Sequence, residues 1–336
     1  MVSVIIIVSL LLSFLATLAL VPLVARKMRA AGFVGKDIHK RGNPVLPEMG
    51  GLAVVAGVLA GLLAYTAGIT FILHQEQGFL IQLLAAIATL LTIAIIGMLD
   101  DILGWKKGIP QFQKVLLTLP AAVPLMAVNA GVSDMALPFF GNVSFGLLYP
   151  LLFIPAAVVG ASNAMNMLAG YNGLEAGMAS LLFAGLGVIT LSTSPPWVSL
   201  LSFSALFACL AFLRSNWFPA KIFPGDTFTY FSGALFASIA ILGNIEKYAL
   251  LLFLPYFAQF ALKARGRMRK ESFATPLPDG SLAPRYPKLY GLEHLSLRLL
   301  RRARGKATEQ SIVSLILFGQ LALTIAVIAL FQARLI

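Results

Sequence analysis

The chain has 336 residues, 59% of them hydrophobic and only 11% charged, with 25 Lys and Arg against 13 Asp and Glu. Water-soluble domains carry about a quarter charged residues, so the composition excludes an ordinary soluble fold and points to a polytopic membrane protein. In such a chain the net charge of +12 reports topology rather than nucleic-acid binding, and the single cysteine, Cys209, excludes an intrachain disulfide or a CxxC metal site.

Ten apolar runs follow one another, at roughly 3–24, 50–73, 79–99, 115–131, 147–162, 174–193, 197–213, 227–243, 248–262 and 311–331. Most approach the ~20 residues that span a bilayer core. They predict an all-α bundle of about ten transmembrane helices, folded as one domain over residues 1–336. The first run, Val2 to Val24, has no basic residues before it and no small-residue cleavage site after it, which predicts a retained helix rather than a removed signal peptide. The fourth, fifth and ninth runs are short or interrupted by Pro120, Pro124, Pro155 and Pro255. A bundle tolerates such breaks when neighbouring helices satisfy the freed carbonyls.

Ten spans put both termini on one side. All Lys and Arg except Lys247 and Arg334 then fall in the first, third, fifth, seventh and ninth connections. The positive-inside rule makes those connections cytoplasmic and both termini external. The longest connection, residues 263–310, opens with a basic run from Lys263 to Lys270 and becomes Pro- and Gly-rich from Pro276 to Pro287. It ends in an amphipathic stretch. Leu289, Leu292, Leu295, Leu299 and Leu300 recur at helical spacing with Glu293, Arg298, Arg301 and Arg302 opposite, which predicts a helix lying on the membrane surface.

The unusual polar residues collect in these same connections. The first holds Asn43-Pro-Val-Leu-Pro-Glu48-Met-Gly50-Gly51, where Glu48 suits either a ligand site or the positive end of the helix that follows. The run from Phe79 ends in Gly97-Met-Leu-Asp100-Asp101, followed by Trp105, Lys106, Lys107 and Lys114. Two carboxylates at a membrane boundary are functional candidates by default. With lysines beside them they can hold a divalent cation and a polyphosphate, because Mg²⁺ takes one or two carboxylates plus phosphate oxygens.

The third cytoplasmic connection reads Asn163-Ala-Met-Asn166-Met-Leu-Ala-Gly170-Tyr-Asn172-Gly173-Leu-Glu175-Ala-Gly177. Its amides suit a nucleotide base or a metal, and its glycines let backbone approach a ligand; tight turns are the other reading. The fourth reads Asn216-Trp-Phe-Pro-Ala-Lys221-Ile-Phe-Pro-Gly225-Asp226-Thr227. There Asp226 fits a phosphate or metal site at a helix start as well as an N-cap.

In order, these segments resemble the polyprenyl-phosphate N-acetylhexosamine-1-phosphate transferases, the membrane family that starts lipid-linked glycan assembly. The resemblance rests on Pro47-Glu48-x-Gly50-Gly51, Asp100-Asp101, Asn163-x-x-Asn166 through Asn172-Gly173-Leu-Glu175-x-Gly177, and Asn216-Trp-x-Pro through Gly225-Asp226-Thr227-x-x-Tyr230. The bacterial cell-wall branch has aspartates where this chain has Ala169 and Asn172, and a histidine cluster in the last cytoplasmic loop that this chain lacks. The third segment is similar instead to the eukaryotic and archaeal branch that makes dolichol-linked GlcNAc for N-glycosylation. The nearest match to that branch's Arg-His-Arg segment is Pro284-Arg285-Tyr286-Pro287-Lys288.

The resemblance implies transfer of a sugar-1-phosphate from a UDP-N-acetylhexosamine to dolichyl or another polyprenyl phosphate, with release of UMP. It implies Mg²⁺, with Mn²⁺ as an alternative ion, held by Asp226 and Asn166. Lys114 and Arg285 would neutralise phosphate charge, while Glu48, Asn163, Asn172, Gly173 and Glu175 would bind the nucleotide-sugar. Asp100, with Asp101 beside it, would orient the lipid phosphate for direct attack or else form a covalent phosphosugar intermediate. A lipid phosphate is largely ionised near neutrality, its second pKa being about 6, which favours direct attack. The same reading implies an integral enzyme of the plasma membrane, or of the endoplasmic reticulum in a eukaryote, working on the cytoplasmic face among membrane lipids, with no nucleic-acid partner and a homodimer as a candidate assembly. A polytopic transporter is the competing class. It would place more polar groups near the middle of broken helices.

Overall fold

The computed structural model describes residues 1–74, 78–103, 111–137 and 141–334. Helix α1 (Val2–Ala30) is followed by α2 (Gly51–Ala67), which ends in a π-helical turn over Gly68–Leu73, and by α3 (Leu80–Leu103). Next come α4 (Gln111–Thr118), α5 (Val123–Ala127), α6 (Ile154–Met167), α7 (Leu174–Thr193), α8 (Pro196–Asn216) and α9 (Gly225–Leu242). The chain ends with α10 (Glu246–Leu252), α11 (Leu254–Arg265), α12 (Leu292–Arg304) and α13 (Glu309–Gln332). Three short antiparallel hairpins depart from a purely helical expectation: β1–β2 (Val34–Lys36, Val45–Pro47), β3–β4 (Asp134–Leu137, Gly141–Ser144) and β5–β6 (Thr275–Pro276, Leu282–Ala283).

Among the described residues, eight helices are long and apolar enough to cross a membrane, against ten expected spans. The two that fall short contain Pro120, Pro124 and Pro255, whereas Pro155 stands in the first turn of α6 and leaves that span whole. The run at 115–131 divides into α4, a 3-10 turn over Leu119–Ala122, and α5, at Pro120 and Pro124. The run at 248–262 breaks at Phe253 into α10 and α11, just before Pro255. Proline lacks the amide hydrogen that would continue the ladder, and its ring clashes with the preceding turn.

Helix α9 is the axis of the bundle. Every residue from Thr227 to Leu242 is buried, against α3, α6, α2, α8 and α7. Small residues let its neighbours come close: a Cβ on Gly97 of α3 would lie 2.7 Å from Thr227 Cα. That contact brings the last turn of α3 against the first turn of α9. At the periphery, α1 packs on α2 and α8 through Ser9, Ser13 and Thr17, all buried, while Val4, Ile7, Val8, Leu11 and Leu15 face outward. The outward face is the one a bilayer would cover.

The long basic segment does contain the expected amphipathic helix, α12, but its charged face was misassigned by sequence. Glu293 is fully buried, where the Gln259 amide of α11 donates 3.1 Å bonds to both its oxygens. The same Gln259 donates to the Met167 carbonyl at 2.8 Å and accepts from Leu292 N–H at 2.7 Å. A buried carboxylate survives only when hydrogen-bonded, and here the partner comes from a helix distant in sequence. Leu297 and Leu300 join it on the inner face, and Leu299 is exposed.

Candidate active site

One cavity of about 410 Å³ opens where the end of α3, the starts of α4 and α9, the α6–α7 turn, the first hairpin and Phe273 converge. Its floor is set by the two neighbouring aspartates of α3, which a helix turns roughly 100° apart. Asp101 points to the α9 N-terminus: its carboxylate accepts Asp226 N–H at 2.6 Å, Thr227 N–H at 3.0 Å and the Thr227 hydroxyl at 2.5 Å. It caps α9 from another helix and supplies a negative charge where unpaired amides make the end positive. Gly225 makes this possible. It has φ of +76°, and a Cβ there would lie 2.7 Å from the Asp101 carboxylate, a conformation and a space only glycine fits.

Asp100 points into the cavity. Its Oδ2 accepts from the Tyr230 hydroxyl at 2.7 Å and pairs with Lys114 Nζ at 2.8 Å. Its Oδ1 is buried with no hydrogen-bond partner among the described residues. Lys114 also donates to Asp226 Oδ2 at 2.7 Å, so one ammonium bridges two carboxylates brought in by α3 and α9. Asn166, on the last turn of α6, lines the same space. Lys106 and Lys107, named with Lys114 in the sequence, lie outside the described residues, as does Trp105.

Glu48 and Glu175 close the other side. Burial, and then the nearby Asp101 charge, push the Glu48 carboxyl above its ordinary pKa. Its loop is pinned to the α8–α9 connection by Gly50 N–H to Phe223 C=O at 2.9 Å and Gly51 N–H to Pro224 C=O at 2.8 Å. Glu175 Oε1 accepts Gly170 N–H at 2.9 Å, while Oε2 has no hydrogen-bond partner among the described residues.

Four other residues expected at the site have different surroundings. Asn163 is inside α6 rather than in a loop, and its amide donates to Thr118 Oγ1 at 3.0 Å and Val159 C=O at 2.9 Å. Asn172 is buried among Lys40, Asp37 and Ala220. Gly173 begins α7 against the Trp217 ring. Arg285 is half exposed and pairs with Glu271. None of the four lines the cavity.

The donor set can be tested for a divalent cation by its charge. Among the described residues, six carboxylates (Asp37, Glu48, Asp100, Asp101, Glu175 and Asp226) and two lysines, Lys36 and Lys114, line the cavity. Such a cavity repels an anion unless further positive charge enters with it. Asp226, the unpartnered Asp100 oxygen and the Asn166 amide oxygen are hard ligands of the type Mg²⁺ takes beside phosphate. The residues fit that ion.

A protein of Saccharolobus solfataricus, provisionally named a UDP-N-acetylglucosamine–dolichyl-phosphate N-acetylglucosaminephosphotransferase, is 34% identical over 326 residues, 96% of this chain and 95% of its own length. The glycosyl transferase family 4 model matches residues 83–244. This chain belongs to glycosyl transferase family 4. The Saccharomyces cerevisiae UDP-N-acetylglucosamine–dolichyl-phosphate N-acetylglucosaminephosphotransferase is 29% identical over 90% of this chain and 75% of its own. A Bacillus subtilis relative provisionally named an undecaprenyl-phosphate N-acetylglucosaminyl 1-phosphate transferase is 28% identical over 86% of this chain and 79% of its own.

The stretch that matches the family 4 model carries Asp100, Asp101, Lys114, Asn166, Glu175 and Asp226. The rest of the wall, Gly35 to Ile38, Glu48 and Phe273, comes from outside it. Sequence reasoning missed Asp37, Phe273 and the partners Lys40 and Glu309. One signal was available: Asp37 is the only acid between Arg26 and Pro47, a stretch otherwise dense in Lys and Arg.

Proposed function

We propose that this family 4 enzyme transfers N-acetylglucosamine-1-phosphate from UDP-N-acetylglucosamine to dolichyl or another polyprenyl phosphate, releasing UMP and starting a lipid-linked glycan. The observation that carries the reading is the 34% identity over 95% of the Saccharolobus solfataricus protein. The carboxylate- and lysine-lined cavity at the helix ends supports it. A carrier would build its site near the middle of broken helices.

In the reaction an oxygen of the lipid phosphate attacks the phosphorus that bears the sugar. The bond from that phosphorus to the bridging oxygen breaks, and UMP leaves with the electron pair. Both reactants are anions, so catalysis consists chiefly of positioning and charge neutralisation. Asp226, Asn166 and the free oxygen of Asp100 would hold Mg²⁺, which when bound supplies positive charge to the phosphate oxygens. Lys114 is held by Asp100 and Asp226 at the cavity wall and would turn its ammonium to the transferring phosphate. Tyr230 donates to Asp100 Oδ2, leaving Oδ1 for the ion. Asp101 keeps Asp226 at the α9 start. Glu48 and Glu175 would accept hydrogen bonds from the nucleotide-sugar, with the ionised lipid phosphate attacking directly.

The Lys and Arg asymmetry favours a cytoplasmic cavity and external termini, in the plasma membrane, or in the endoplasmic reticulum of a eukaryote. Membranes containing the protein, given labelled UDP-N-acetylglucosamine, dolichyl phosphate and Mg²⁺, should form UMP and a labelled lipid together. UMP without labelled lipid, or transport of the label without either, would remove the reading. Parallel assays with other UDP-sugars and with undecaprenyl phosphate identify the preferred pair.

A further inference from the structure

A second cluster of charges lies behind the cavity and takes no part in the chemistry above. At its centre is Lys40. Its ammonium donates to Asp37 Oδ2 at 2.8 Å, Asn172 Oδ1 at 2.7 Å and Glu309 Oε2 at 2.6 Å, which uses all three of its N–H groups. The Phe218 ring lies over it, 4.5 Å away. Each of the three acceptors is itself committed. Asn172 Oδ1 also accepts Ala220 N–H at 2.7 Å, its amide donates to Asp37 Oδ2 at 3.2 Å, and its own N–H donates to Glu309 Oε1 at 2.7 Å.

Four segments far apart in sequence meet here: the first connection at Asp37 and Lys40, the α6–α7 turn at Asn172, the α8–α9 connection at Phe218 and Ala220, and the start of α13 at Glu309. His39 adds a fifth. It accepts Ala274 N–H at 3.2 Å and stands 4.3 Å from the Tyr171 ring and 5.6 Å from the Phe273 ring. Asp37 and Phe273 line the cavity. The cluster is therefore bonded directly to one wall of the site, the wall formed by the first connection and Phe273.

The opposite wall is supported differently. Asp100, Lys114 and Asp226 are held by one another, by Tyr230 and by the α3–α9 contact, with no bond to Lys40 or Glu309 among the described residues. We infer that Lys40 and Glu309 are positioning residues that fix the first-connection wall of the cavity, and so set binding of the nucleotide-sugar without serving the transfer step. The inference rests on the proposed reaction.

The physical ground is the cost of opening the cluster. Removing the ammonium leaves Asp37 and Glu309, both buried, without their shared cation, and one partner lost from a buried ion pair leaves an uncompensated charge. The wall then moves to rehydrate them. A displacement of about 1 Å at a binding wall can cost up to about a hundredfold.

The test uses the full-length protein in membranes and two variants. Lys40→Met removes the ammonium but keeps a chain of similar length. Glu309→Gln keeps an acceptor for Asn172 N–H and removes the charge opposite Lys40. Both should raise KM for UDP-N-acetylglucosamine about ten- to a hundredfold while kcat and KM for the lipid phosphate stay within about threefold. In the double variant the two effects should fall well short of adding, as residues of one network do. If Lys40→Met fails to fold, Glu309→Gln carries the test alone. Folded variants with wild-type KM, or with a fall in kcat at unchanged KM, would overturn the inference. Wild-type protein that forms no labelled lipid would instead remove the reaction on which it rests.

Discussion

Asp100 and Asp226 share one lysine, and each is exposed to a different loss when that lysine goes. Lys114→Met should lower kcat about 10²–10³-fold, the range found when one charge-stabilising donor is lost, with a thermal unfolding temperature that separates this from misfolding. Asp226→Ala should abolish Mg²⁺-dependent turnover, and activity that survives with unchanged Mg²⁺ dependence would take Asp226 out of any metal role. Asp101→Asn behaves differently, because both Asp101 oxygens are already bonded to the α9 start. It should cost about 1 kcal/mol in stability, as N-cap losses do. Glu48 adds a pH signature. Its pKa is raised in the fold by burial and by Asp101, so its proton stabilises the folded state, and that contribution fades as pH rises from the ordinary carboxylate range through the raised value. Glu48→Gln should therefore melt higher, relative to wild type, at pH 7 than at pH 4.5.

Helices reveal where local patterning succeeds and where it stops. The long apolar runs of α1, α2, α3, α7, α8, α9 and α13 were legible because twenty apolar residues have few other places to go. Prolines at 120, 124 and 255 marked breaks whose location was legible, though not that they would leave eight full-length helices. Glu293 was illegible. By spacing it shares a face with Leu297 and Leu300, but a carboxylate there reads as surface until Gln259, 34 residues away, makes its burial tolerable. The same holds for the Lys40–Glu309 pair, 269 residues apart. Asp100, Lys114, Asn166 and Asp226 stand out in apolar neighbourhoods and all line the cavity, whereas Asn163 looks alike in sequence and bonds Thr118 instead. At Gly97, where α3 and α9 touch, Gly97→Val should destabilise by about 1–3 kcal/mol through overpacking, read by thermal unfolding in detergent, and should lower activity by separating Asp101 from the α9 start.

Taken as a bundle, the protein has a polar end and a plain one. The cavity, the Lys40 cluster and α12 gather at the first. At the other, Ser194 donates to Gly243 C=O at 3.3 Å and Tyr149 bonds Glu246. The orientation of the two ends across the membrane can be read chemically, because Cys209 is buried and gives little background. A cysteine placed at exposed Asn244 should react with an impermeant maleimide from outside intact cells. One placed at exposed Asp279 should react only in inverted vesicles, and the reverse pattern would invert the proposed topology.

The Asp100-Asp101 pair also behaves as a phase mark. Two identical side chains do unlike work only because consecutive residues of α3 face different directions, one into the cavity beside Lys114 and one toward the amides of α9. Their meaning thus depends on counting back to Gly97, where α3 is keyed to α9. A single apolar residue inserted between Gly97 and Asp100 would leave the charge unchanged and the hydropathy almost so, yet rotate both carboxylates by about 100° and exchange or lose both tasks at once. The protein reads this part of its own sequence as angle.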